Sequence, residues 1–364
     1  MPALPAVALT TILLMTIVGG GAGIYFVAVP AIMPEETLEE AKLPIISNPE
    51  YPIKPIFTKP LPNPFDEYEY IKPNGRMIAG LPTTPLSTAK LAVAKVDFLD
   101  LQHDSLSDAG MEAVLTATND YYAVNSYGRF RWEFHLSPTW YTVPNSCTYY
   151  GENRFPQFVQ DSLTLASNDF DLSQYRYVLI YHYADGCTGH WNWNTFAIWT
   201  IGETQYPLSV TVVKYDPNFP DVVEHELGHA LGDLPDLYRP FANPWDIMGT
   251  GTGGFSSYSK LKLGWIPSEN MAIISTSDST NVQLNPLGQE VAQGVLVVKI
   301  TVAEGIYYLI EVRERVGADV NLLPSSVVDR QFWPGVFILR VEWSWPKWIS
   351  SQTGQPSLNL YEIN

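Results

Sequence analysis

Two periods of apolar residue alternate through residues 88–270 and set the elements to expect. Leu91–Phe98, Phe130–Leu136 and Tyr177–Tyr183 are short apolar or alternating runs rich in β-branched and aromatic residues, so they predict strands. Between them, Ser107–Asn125 places Met111, Val114 and Leu115 at helical spacing behind a Ser or Asp cap, and Asn153–Ser167 has the same period; both predict helices. Phe196–Ile201 and Ser209–Tyr215 complete the strand set, the second predicting an edge to which an extended peptide adds as a further strand. From about Asn270 the pattern turns β-rich. Val295–Val302, Ile306–Arg313 and Gly335–Trp343 run apolar or alternate between Gly and Pro, and predict a small antiparallel β domain over residues 271–364. The expected fold class is therefore α+β, a mixed twisted sheet with helices followed by that smaller unit.

The N-terminal pattern differs. Residues 1–34 carry no charged side chain, and Leu4–Met33 is apolar nearly throughout. A helix of about 20 such residues spans a bilayer. The segment predicts a transmembrane anchor, with a cleaved signal segment ending near Val29-Pro30-Ala31 as the alternative. Residues 44–85 hold ten prolines, a density that forbids regular helix and predicts an extended spacer over residues 35–87. A stalk is the plain reading of that spacer. A pro-segment blocking a cleft through Asp66 or Glu67 is the sharper one.

Composition narrows where such a chain works. Charged residues make up 16% and aromatics 13%, a balance that favours a protein outside the cytosol. A formal net charge of −17 without a basic cluster argues against a nucleic-acid partner. The acidic flank Glu35, Glu36, Glu39 and Glu40 does not oppose translocation of the residues C-terminal to it. The expected location is thus the cell surface, membrane-anchored with the folded part outside, or secretion as the alternative. There Cys147 and Cys187, the only two cysteines, are expected to pair as a disulfide.

The stretch richest in chemistry is His225-Glu226-Leu227-Gly228-His229. It sits on a predicted helix that opens at Pro220-Asp221 and terminates at Gly232. Residues four apart on a helix lie about 6 Å apart on one face, so both imidazoles can aim a nitrogen at one ion. Zinc takes neutral imidazole at about 2.0–2.1 Å and keeps a water when the protein supplies three ligands. Glu226 then acts on the water as general base, and the pattern predicts hydrolysis of a peptide bond. A buried helix whose histidines merely hydrogen-bond is the competing reading of these five residues alone.

The third ligand is narrowed by elimination. No histidine lies beyond His229 and no glutamate lies between Ala230 and Ser268, which leaves Asp233, Asp236 and Asp246. Asp236 is favoured because Gly232 and Pro235 turn the chain before it, and Asp233 is the runner-up. Read as HELGHALGDLPDLY, His225–Tyr238 resembles the zinc helix of the M6, immune-inhibitor-A-like metallopeptidases of the metzincin clan. Trp245-Asp246-Ile247-Met248-Gly249 is similar to that family's Trp-Asp-x-Met turn, whose methionine forms an apolar floor below the metal. Leu91–Asp100 resembles the strand that opens the family's catalytic domain, and Lys260–Trp265 the segment that closes it. Tyr307–Arg313 and Gly335–Glu342 look like the paired strands beyond that domain. Asp233 is one residue more than the family pattern holds.

The resemblance implies a metzincin-like zinc protease domain with Zn2+ on His225, His229 and Asp236, Glu226 as general base, Met248 beneath, and protein or peptide substrates. The expectation from another class is a catalytically inactive surface-binding or adhesion module that keeps the fold. Elsewhere, His103, His135 and His182 predict satisfied structural histidines, and Gly186–Trp199, with His190, Trp191, Trp193 and Trp199, predicts packing, with a cleft rim that sets side-chain preference as the alternative. Glu311 predicts a structural ion pair, with a structural Ca2+ ligand as the alternative.

Overall fold

The computed structural model describes residues 9–17, 24–32, 88–103, 107–151, 154–183, 193–214, 220–237, 246–249, 253–275, 281–303, 306–320, 335–342 and 357–363. At the N-terminus, Leu9–Ile17 (β1) and Ile24–Ile32 (β2) pair antiparallel, with Leu9 opposite Ile32 and Ile17 opposite Ile24. The expected transmembrane helix is thereby corrected: among the described residues no helix is long and apolar enough to cross a membrane. The residue types explain the strands. Thr10, Thr11, Ile12, Thr16, Ile17, Val27 and Val29 are stiff at χ1 and favour extended backbone, and each of Gly19, Gly20, Gly21 and Gly23 costs a helix roughly 1 kcal/mol. Residues 35–87, expected as stalk or pro-segment, lie outside the described residues.

The first large sheet begins at Thr88–Asp97 (β3), followed by Asp108–Asn125 (α1), Arg131–Leu136 (β4), Tyr141–Thr142 (β5), Phe155–Ala166 (α2) and Tyr177–His182 (β6). Trp193–Ile201 (β7), Thr204–Lys214 (β8), Pro220–Gly232 (α3) and Ser257–Lys262 (α4) complete it. Its strand order is β4-β3-β6-β8-β7, with β5 beside the end of β3, and every pairing is parallel except β7 with β8. Alternation along β3 separates two cores. Ala89, Leu91 and Val93 face α1 and α3 with Leu115, Tyr122, Val223 and Leu227, whereas Ala92, Ala94 and Val96 face α2 with Phe158, Val159 and Leu163. Helices on both faces make this a three-layer unit. The start of α1 is fixed by Ser107, whose side chain accepts from the Gly110 N–H at 3.2 Å.

One expectation about the edge is corrected. Ser209–Lys214 belongs to β8, which is bonded to β6 on one side and β7 on the other, so it offers no edge. Gly202, at φ +60°, turns the chain back into a hairpin and makes β7 the outer strand instead. Phe196 and Ile198 of β7 stand exposed, opposite Ser209 and Pro207.

The second sheet contains Met271–Ser275 (β9), Val297–Ala303 (β10), Ile306–Arg313 (β11), Gly335–Glu342 (β12) and Ser357–Ile363 (β13), in the order β13-β12-β11-β10-β9. It is not wholly antiparallel as expected, because β9 runs parallel to β10. Leu309, Phe337 and Leu339 pack on Tyr258 of α4 and on Ile266. Tyr127, just beyond α1, donates to the Leu287 carbonyl at 2.8 Å, so the first helix and the β9–β10 connection are tied together.

Candidate metal centre

The apolar stripe of α3 fixes how its polar face is aimed. Val223, Leu227, Ala230 and Leu231 enter the core shared with β3 and β6. At about 100° per residue, His225 and His229 fall on roughly the opposite face, where Ile247 and Met248 cover them. Gly228 allows that cover. A Cβ there would lie 2.6 Å from Met248 Sδ and 3.2 Å from Phe255, closer than side chains pack.

The three side chains converge. His225 Nε2 lies 3.1 Å from Asp236 Oδ1 and 3.1 Å from His229 Nε2, and His229 Nε2 lies 3.2 Å from the same Asp236 oxygen. Two ligands about 2.05 Å from one ion at the tetrahedral angle sit roughly 3.3 Å apart, so the triangle has the size of one face of a zinc site. The tautomers agree. His225 Nδ1 is 2.7 Å from the Ile247 carbonyl and His229 Nδ1 is 2.6 Å from the Leu234 carbonyl. A carbonyl only accepts, so both Nδ1 atoms carry hydrogen, and each ring in its neutral form turns the Nε2 lone pair inward. Among the described residues this is the one group of three such side chains with metal-ligand spacing.

The electrostatics reflect the crowding of acceptors. Burial opposes ionisation of Asp236, yet hydrogen bonds and charge from His225 and His229 hold its carboxyl well below the usual range. Burial pushes His229 down, but the Asp236 hydrogen bond and charge, then Glu226 and the Leu234 carbonyl, raise it to about 9. Glu226 is buried, and that burial raises its carboxyl against the lowering influence of the two histidines. Glu224 is a second buried carboxyl, pushed up to about 8 by burial and by Asp221; no motif singles it out.

Asp233 and Asp246 are elsewhere. Asp233 is 71% exposed, its carbonyl accepts from Lys262, and its carboxylate lies 4.0 Å from that ammonium. It occupies the left-handed position that ends α3, with φ +47° and its N–H donating to the His229 carbonyl at 2.8 Å. The helix ends at Gly232 as expected, and the left-handed residue that follows is Asp233 rather than the glycine. A Cβ at Gly232 would meet Leu263 Cδ2 at 2.5 Å, so close packing explains the glycine. The residue additional to the family pattern is absorbed as the helix stop, leaving Asp236 to return to the histidines. Asp246 instead shapes the turn above them, accepting from Met248 N–H at 2.9 Å and Ser256 N–H at 2.8 Å.

The remaining site expectations divide cleanly. His103 stacks on Trp140 and pairs with Asp97, His135 bonds Tyr175 and Glu133, and His182 is buried against Phe98 and Phe158. Cys147 is buried, its N–H donates to Asp100 and its sulfur is not a free thiol but disulfide-bonded; Cys187, the partner expected from the sequence, lies outside the described residues. His190, Trp191, Tyr238 and Trp245 also lie outside them. Glu311 is engaged by Arg313 and by the Ser257 N–H, which makes it an ion-pair member rather than a ligand for structural Ca2+. Sequence reasoning missed the Ile247 and Leu234 carbonyls that orient the imidazoles, because a backbone carbonyl leaves no residue signature.

No protein-family profile matches this chain, and no curated protein matches it. Among solved structures it is similar to wild-type OgpA from Akkermansia muciniphila, at 11% identity and a TM-score of 0.36, over 78% of this chain and 94% of that one. A likeness at that level carries no argument, and the reading of the site rests on its geometry.

Proposed function

We propose that this chain is a zinc-dependent endopeptidase of the M6-like, metzincin type, working outside the cytoplasm at the cell surface or after secretion. The observation that carries the reading is the triangle of lone-pair atoms from His225, His229 and Asp236, with both Nδ1 atoms engaged by carbonyls and Glu226 buried beside it. When bound, zinc supplies Lewis acidity, lowering the pKa of water and polarising a peptide carbonyl. Glu226 takes the proton of the attacking water and delivers it to the leaving amine. His225, His229 and Asp236 hold the ion, and Met248 closes the floor against Gly228. β7 offers its outer edge and the exposed Phe196 and Ile198 to an extended peptide, which would add as a further strand. The low share of charged residues supports the extracytoplasmic setting.

Zinc analysis together with casein hydrolysis tests this reading. The purified full chain is expected to hold about one zinc and to lose casein cleavage on chelation. Glu226→Gln keeps the metal while turnover falls by about 10²–10⁴-fold, the usual contribution of a general base. Full activity in that variant overturns the mechanism, and zinc without any hydrolysis in the parent chain favours an inactive binding module.

A further inference from the structure

We propose that Arg313 of β11, together with Glu311 and Asp319, is a positioning element of the metal centre, so that the second sheet is part of the site. The inference rests on reading His225, His229 and Asp236 as ligands. Arg313 is fully buried and grips Asp319 with two parallel bonds, Nε to Oδ2 at 2.8 Å and Nη2 to Oδ1 at 2.6 Å. Its Nη1 donates to Glu311 at 3.1 Å and its Nη2 to the Gly254 carbonyl at 2.9 Å. The carboxylates then reach on to the first unit. Asp319 accepts from the Gly254 N–H at 2.8 Å, and Glu311 from the Ser257 N–H at 2.7 Å.

Residues 254–257 are thus held from both sides, and they in turn hold the turn above the metal. Ser256 N–H donates to Asp246, whose other oxygen accepts from Met248 N–H. From that turn, the Ile247 carbonyl orients His225, and the Met248 carbonyl accepts at 2.7 Å from Leu237 N–H, one residue beyond Asp236. Two of the three ligands therefore hang on a hydrogen-bonded chain that starts at Arg313. The path has little slack, since a Cβ at Gly254 would sit 2.6 Å from Asn125 Oδ1 and 2.9 Å from Ala318 Cβ. A buried ion pair is a weak source of stability compared with apolar packing of equal volume, so its value here is geometric. Outer partners that orient metal ligands change metal affinity on mutation even when they touch no metal.

Zinc competition against a chromogenic chelator, on the full chain, tests the proposal. Arg313→Lys keeps the charge but cannot span Asp319 and Gly254 together, and Glu311→Gln drops one charged acceptor. Both are expected to weaken zinc binding roughly 10–100-fold. Tyr141→Phe, which loses a bond to Asp169 on the α2 face, is expected to lower the melting temperature while zinc affinity stays within about two-fold. Amide exchange in the unmodified chain gives a second readout that needs no variant to fold: by linkage, zinc loading should slow exchange over residues 253–259 and in β11. Unchanged affinity in folded variants, or no added protection over those residues, overturns the proposal while the metal centre stands. An unmodified chain that binds no zinc overturns the metal-centre reading and this inference with it.

Discussion

Two polar clusters among the described residues, one buried around Arg313 and one partly exposed at Asp236, have opposite balances of donor and acceptor. Around Arg313 a guanidinium faces two carboxylates and a carbonyl, and those carboxylates also receive the N–H groups of Gly254 and Ser257. Charge and hydrogen bonding close within the protein. At His225, His229 and Asp236, both Nδ1–H groups point outward to carbonyls, and the two Nε2 atoms and a carboxylate oxygen crowd within 3.2 Å of one another. Such a cluster is completed by a cation or a proton. Both clusters contain acids and bases, so residue type alone does not separate a structural node from a site; the direction of the lone pairs does.

The comparison is broken most forcefully at the aspartates. Asp236→Ala is expected to weaken zinc binding by more than about 100-fold, beyond what outer partners contribute, while Asp233→Gly leaves affinity unchanged and relieves a left-handed non-glycine residue. Chelator competition on both proteins reads the difference, and equal losses would return Asp233 to the ligand set. Gly228→Ala comes next. It forces Met248 aside and should destabilise the fold by about 1–3 kcal/mol in urea unfolding. Adding Met248→Ala should recover part of that loss; strict additivity would show that the contact is not what makes glycine necessary.

The smallest effect concerns Lys260, beside the Arg313 node. Burial lowers its ammonium to about 7 from 10.5, against the opposing charges of Asp319 and Glu311. The unfolded chain then holds a proton that the folded chain has released between those values, so this group's contribution rises with pH across the window and its penalty is fullest below it. Lys260→Met should gain stability relative to the parent at about pH 6 and lose part of that gain by about pH 9. Identical urea midpoint differences at the two values would refute the burial account.

Much of the fold was legible where the periodicity was strong. Met111, Val114 and Leu115 announced α1, and the apolar run from Leu91 announced β3, since both elements answer to local side-chain spacing. β9 and β13 were not foreseen. β9 is only five residues long and enters the sheet by parallel pairing with β10, a choice made by distant chain rather than by its own pattern. The helix expected in the N-terminal segment gives way to strands because hydropathy weighs total apolarity, whereas its β-branched residues and glycines favour a strand pair.

The HELGH spacing by itself determined the chemistry on offer, two imidazoles and a carboxylate on one helix, because a helical repeat is a property of neighbouring residues. Elimination among the remaining acids went as far as a choice among aspartates. Only the tertiary structure decided that Asp233 stops the helix while Asp236 returns to the histidines, because the backbone angle at Asp233 and the packing of Leu263 on Gly232 settle the path. Likewise only the fold decided that β7 is the outer strand and that Arg313 reaches the metal turn. Those assignments depend on backbone groups and on contacts between segments far apart in the chain, and neither is written in local residue order.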